Sequence, residues 1–115
     1  MSLTFNHSVE GNTDVFKITG RLISKLDSKG LTEKVNELLA DERHAILLEL
    51  SEMDYLNSTG LNILLSLFTA TRNAGGDIYI CNVSTKVEEL LVMTKLNTVF
   101  KIFKTMDEAL TVFSE

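Results

Sequence analysis

The chain has no proline, a single cysteine and only six glycines among its 115 residues. With no proline, no internal repeat and no linker-like stretch, and with too few residues for two ordinary cores, residues 1–115 are expected to form one domain. Cys81 stands alone at the end of the run Ile78, Tyr79, Ile80, so neither a disulfide framework nor a thiolate metal site can be built within one chain. A reducing, cytoplasmic setting is the expectation. No stretch approaches the ~20 apolar residues that cross a bilayer, and the polar opening Met1 to His7 has no signal-peptide core. The sequence thus predicts neither export nor a membrane span, and Asn6-His7-Ser8, Asn57-Ser58-Thr59 and Asn82-Val83-Ser84 become chance matches to a glycosylation signal.

Other absences narrow the function. A basic face is missing: the formal charge is -5 and the acids lie in short clusters such as Asp41-Glu42, Glu88-Glu89 and Asp107-Glu108. A phosphate backbone needs clustered cations, so nucleic acid is not expected as a partner. His7 and His44 fall in different elements without Cys or Glu-x-x-His spacing, which predicts no metal and no cofactor. Gly-x-Ser-x-Gly is missing, so Ser58 is not expected to be a hydrolase nucleophile and the chain is not read as an enzyme. Gly75-Gly76 lacks the following Lys and Ser/Thr of a phosphate loop and reads as a turn.

What is present is a globular composition, 44% hydrophobic and 23% charged, which argues for a folded domain. Leu3, Phe5, His7 and Val9 alternate with polar residues, as do Phe16 and Ile18 after Gly11 to Asp14, predicting a β-hairpin with one wet face. Asp27 is placed to cap a helix carrying Leu31, Val35, Leu38 and Leu39. Ala45 to Leu50 is nearly continuous apolar sequence, the pattern of a central strand covered on both faces. Ser58 to Ala74 reads as a helix stopped by Gly75-Gly76, and Ile78 to Cys81 as the next buried strand, joined by a right-handed crossover. Thr85-x-x-Glu88 and Thr105-x-x-Glu108 have capping-box spacing and predict two further short helices, with a strand over 99–103 between them. The sum is an α/β domain of four or five strands and about four helices.

The richest stretch runs from Leu48 to Leu61, where a buried strand leaves through a short loop into a helix and Ser58 takes the N-cap position. A helix start carries unpaired N–H groups and a partial positive charge, so it accommodates a hydroxyl and favours an anion such as a phosphate ester. Projected at 100° per residue, Leu61, Ile63, Leu64, Leu65, Leu67, Phe68, Ala70 and Ala74 fill more than half of the helix circumference, and Asn62, Ser66, Thr69 and Asn73 form a narrow uncharged stripe. Ser58 projects beside it. By composition alone these residues are an ordinary cap and the wet side of an amphipathic helix; the lack of Lys and Glu in the stripe tips it toward an interface, whose centre is poor in charge.

The segment Tyr55-Leu56-Asn57-Ser58-Thr59-Gly60-Leu61 resembles the signature of STAS-domain anti-sigma-factor antagonists, a hydrophobic pair and Asp-Ser-Ser/Thr-Gly-Leu at the start of a helix. The likeness extends to Gly20-Arg21-Leu22 after the hairpin, to the helix after Asp27 and to Gly75-Gly76-x-Ile78. It departs from the signature at Asn57, where aspartate is usual, and at Asn62, where a small glycine is common. The resemblance implies a mixed β-sheet with helices packed mainly on one side, and a protein-binding role. It implies that Ser58 is phosphorylated by an anti-sigma factor that is itself a serine kinase of the histidine-kinase-like ATPase type, with a PP2C-type phosphatase to reverse it. The partner surface it implies comprises Asn57, Ser58, Thr59 and Gly60 together with the stripe Asn62, Ser66, Thr69 and Asn73. A different outcome for the same fold is a scaffold or sensor module of a larger signalling assembly that is never phosphorylated; a small-ligand sensor is a third.

Overall fold

Alternation in the first twenty residues produces the hairpin it predicts. In the computed structural model, which describes residues 3–114, β1 (Leu3–Glu10) pairs antiparallel with β2 (Thr13–Leu22), with Thr4, Asn6 and Ser8 exposed on its wet side. Next comes α1 (Lys25–Ala40), which buries Leu31, Val35, Leu38 and Leu39 as their spacing requires. Its cap is Ser24 and not Asp27: the Ser24 hydroxyl oxygen accepts the Asp27 N–H at 3.2 Å. Ser24 is extended and just outside the helix, whereas Asp27 is already helical and belongs to the turn being capped.

β3 (Ala45–Leu56) is longer than its apolar run, extending through Ser51 and Glu52 to the loop before α2 (Ser58–Asn73). The stop after α2 is the one expected of a diglycine. Gly75, at φ 88°, donates to the Arg72 carbonyl and Gly76 to that of Thr71, which closes the last turn. β4 (Asp77–Cys81), α3 (Thr85–Met93), β5 (Lys101–Phe103) and α4 (Met106–Ser114) complete the chain. Thr105 caps α4 as predicted, its hydroxyl accepting the Glu108 N–H at 3.2 Å. Ser84, not Thr85, caps α3 by accepting the Val87 N–H. β5 is shorter than the predicted 99–103 because the N–H groups of Val99 and Phe100 both bond to the Leu96 carbonyl in a 3₁₀ turn over Leu96–Thr98.

The five strands lie in chain order, β1-β2-β3-β4-β5, and every pair after the hairpin is parallel. Each parallel pair is joined through one helix, and right-handed crossovers of this kind place successive helices on the same face. Apolar residues of α1, α2 and α3, among them Val35, Leu64 and Leu91, therefore pack with Phe16, Ile18, Leu48, Leu50 and Ile80 in one core. On the other face α4 packs Ala109 against Val15, Leu47 and Cys81, with Tyr79 stacked on Phe113. Coverage on both sides explains why Ile46, Leu47, Leu48 and Leu50 are all apolar and buried, with Glu49 the one polar residue among them. Burying each such side chain contributes about 1.5–3 kcal/mol.

At the end of the sheet where β3 begins, Asp14 is fully buried and held by two partners, hydrogen-bonded to His7 Nε2 at 2.7 Å and ion-paired with Arg43 Nε at 2.6 Å. A buried carboxylate needs such partners, and these pin β1 and the α1–β3 connection to β2. The opposite end, where β3 finishes, carries the candidate site.

Candidate functional site

β3 reaches that end out of step with its neighbour. Lys17 lies beside Glu49 but Thr19 beside Glu52, and Gly20 beside Met53 but Arg21 beside Tyr55, so β3 carries two extra residues there. Bulges bend a strand and re-aim its side chains. Glu49, buried at the first of them, accepts the Ser51 N–H at 2.6 Å. Tyr55, at the second, lies between two cations, with the Arg21 guanidinium carbon 5.6 Å and the Lys86 ammonium 5.4 Å from its ring centroid.

The loop into α2 is fixed by Asn57. Its Oδ1 accepts the Gly60 N–H at 2.9 Å and its Nδ2 donates to the Ile23 carbonyl at 3.3 Å. Asn57, in extended conformation, is therefore the N-cap in place of Ser58. Its amide can cap the helix and hold the β2–α1 connection at once, which a serine hydroxyl one residue later is not placed to do. Gly60 shows how close the packing is: a Cβ there would lie 2.0 Å from the Leu22 carbonyl oxygen.

Displaced from the cap, Ser58 is the first helical residue, exposed, and its hydroxyl has no hydrogen-bond partner among the described residues. Thr59 is half-buried and Gly60 buried. Asn62, Ser66, Thr69 and Asn73 are all exposed and continue from Ser58 along α2. They border a shallow depression of about 520 Å³, and within it stands Leu65, 37% exposed. The sequence reading groups Leu65 with the apolar side; in the fold it interrupts the polar stripe, because at about 100° per residue it lies nearly opposite Ile63 and Leu67, which face the sheet. The sequence reading also missed Leu26, 82% exposed on the first turn of α1, three residues after the Ile23 carbonyl that Asn57 holds. Its signal was available: at 100° per residue Leu26 lies well off the face of Leu31 and Val35.

Neither histidine is near this end of the sheet. His7 is engaged with Asp14 at the far end and His44 precedes β3. Neither imidazole is therefore placed to take the Ser58 proton.

Comparison with known proteins follows the same lines. A protein-family model described as the STAS domain matches residues 6–109. A candidate anti-sigma factor antagonist of Thermotoga neapolitana is 29% identical over 75 residues, 65% of this chain and 66% of the relative. The anti-sigma F factor antagonist of Paenibacillus polymyxa is 30% identical over 66 residues, 57% of this chain and 56% of its own length. The matched chain thus spans somewhat under two thirds of these curated relatives. Among solved structures, an anti-sigma factor antagonist of Mycobacterium paratuberculosis superposes with a TM-score of 0.84 at 23% identity, covering 99% of this chain and 96% of that one. The Bacillus cell fate determinant SpoIIAA in its phosphorylated form gives 0.75 at 16% identity, covering 96% and 99%.

Proposed function

Because the family model spans residues 6–109, the chain belongs to the STAS domain family, and from that premise we propose that it is an anti-sigma factor antagonist, a binding protein switched by phosphorylation of Ser58. The observation that carries this reading is the free, exposed hydroxyl of Ser58 at the first position of α2, at one end of the uncharged surface formed by Asn62, Leu65, Ser66, Thr69 and Asn73. In the unmodified state that surface, with Asn57, Thr59 and the exposed Leu26, receives the anti-sigma factor, a serine kinase with a histidine-kinase-like ATPase fold. Apolar anchors among neutral polar groups suit a surface that must shed water on contact.

Phosphorylation adds about -1.5 to -2 charge and a bulky group beside the contact, so it ejects the partner by repulsion and desolvation cost. The helix tolerates the change because its N-terminus favours an anion. A PP2C-type phosphatase resets the surface. Ser58→Ala is expected to bind the kinase and take no phosphate; Ser58→Asp is expected to bind at least about tenfold more weakly, about 1.4 kcal/mol, with an unchanged amide spectrum. Calorimetry that finds Ser58→Asp binding as tightly as the unmodified chain rejects the switch.

One observation favours a second reading, a scaffold in a larger assembly. Asn57 replaces the family's usual aspartate and is committed to two hydrogen bonds within the fold. Mass spectrometry of the protein from its own cells separates the readings, since phosphate on Ser58 excludes the passive scaffold and its absence under every growth condition excludes the switch.

A further inference from the structure

β5 is an edge strand of three residues, and its outer side opens into a groove. The Phe103 carbonyl accepts the Asn82 N–H on the β4 side. Consecutive residues of a strand turn their backbone groups to opposite edges, so Ile102 presents its N–H and C=O outward. An uncovered edge of this kind is a template for another strand. Here it runs along a cavity of about 890 Å³ that lies between α3 and α4.

The two walls of that cavity differ. On the α3 side it is lined by Val92, Val99 and Phe100, and Val92 and Val99 are 52% and 36% exposed. This side also holds its one lining carboxylate, Glu88. On the α4 side Lys101 lies over the Tyr79 ring at 5.8 Å and Lys104 follows it in the loop to α4. No described carboxylate pairs with Lys101 or Lys104, in a chain whose net charge is -5. Unpaired cations on one side and exposed apolar surface on the other match the two faces of an extended peptide, whose side chains alternate.

We propose that the β5 edge binds an extended partner segment as a sixth strand, with acidic side chains toward Lys101 and Lys104 and apolar ones toward Val92 and Val99. The bound stretch is short, about five residues, because the strand and its groove are short. Backbone hydrogen bonds through Ile102 supply the geometry and the lysines select the sequence. This surface is formed by other elements than the Ser58 surface and does not depend on its assignment.

The test is an amide NMR titration of the full chain with acetyl-Glu-Val-Glu-Val-Glu-amide. Saturable shifts centred on the Ile102 amide are expected, and Lys101→Glu with Lys104→Glu is expected to weaken binding by about tenfold. Both lysines are exposed, so the same spectra report whether the variant is folded. A copy of the peptide N-methylated at alternate backbone amides keeps its charge and loses its donors, and it is expected not to bind. The proposal is overturned by the absence of saturable shifts at Ile102 up to millimolar peptide, by equal binding of the N-methylated copy, or by unchanged affinity of the double variant. Shifts at Ile102 that follow protein concentration without peptide assign the edge to a second copy of the chain and overturn it as well.

Discussion

Asn57 does two things that an aspartate at the same place cannot do together, because a carboxylate can accept the Gly60 N–H but has no proton to donate to the Ile23 carbonyl. Asn57→Ala removes both bonds and is expected to lower stability by about 1–2 kcal/mol. Asn57→Asp keeps the cap, gains from the helix dipole, and is expected to lose less; urea midpoints of the two variants check the order. Gly60→Ala is more severe, since the new methyl meets backbone that cannot rotate away. A loss above about 2 kcal/mol is expected in the same assay. The off-by-one caps show why such positions were only partly legible. Asn57-Ser58-Thr59 and Ser84-Thr85 each place competent cap residues side by side. The choice between them rests on contacts that sequence spacing does not carry, such as the bond from Asn57 to a residue 34 positions away.

Periodicity made the elements far more legible than their ends. The apolar spacing in α1 and the nearly continuous run in β3 follow directly from what each element must bury, and the structure buries Leu31, Val35, Leu38 and Leu39 and residues 46–50. Of the apolar positions in α2 it buries Ile63, Leu64 and Leu67 and leaves Leu61, Phe68, Ala70 and Ala74 half-buried. Exposure of an apolar residue is harder to read where apolar residues fill more than half of a helix, because the edge of that arc already faces away from the sheet; Leu65 is the example. The reverse case is Glu49, a charged side chain buried at a bulge that no alternation predicts. α4 is the lid over Cys81, whose thiol is pushed up to about 12 by burial first and by the Glu49 carboxylate second. The folded chain keeps that proton where the unfolded chain releases it. The contribution to stability is therefore complete below about pH 9 and is lost as the pH climbs toward about 12. At neutral pH the native thiol is expected not to react with Ellman's reagent, and Ala109→Asp, which places a charge under α4, is expected to make it react within minutes. A native chain that reacts at the rate of the unfolded one contradicts this assignment of the lid.

Across the whole molecule, β3 separates the end held by Asp14 from the end that carries the candidate site. Asp14 with His7 and Arg43 lies where β3 begins, and Ser58 lies beyond where it finishes. Asp14→Asn is expected to cost about 2 kcal/mol, less than for a pair wholly removed from water because His7 and Arg43 both reach solvent. It is expected to leave the affinity of the Ser58 surface unchanged, and denaturation and calorimetry on one preparation test both halves. The sheet order has a further consequence for a chain made one residue at a time. Every strand from β2 to β5 is laid against one that left the ribosome before it, so no strand waits for a distant neighbour to be synthesised. What does wait is the second layer: Val15 and Leu47 stay bare until translation reaches Ala109, and in that interval the nascent domain has α2 in place but only one side of its sheet dry.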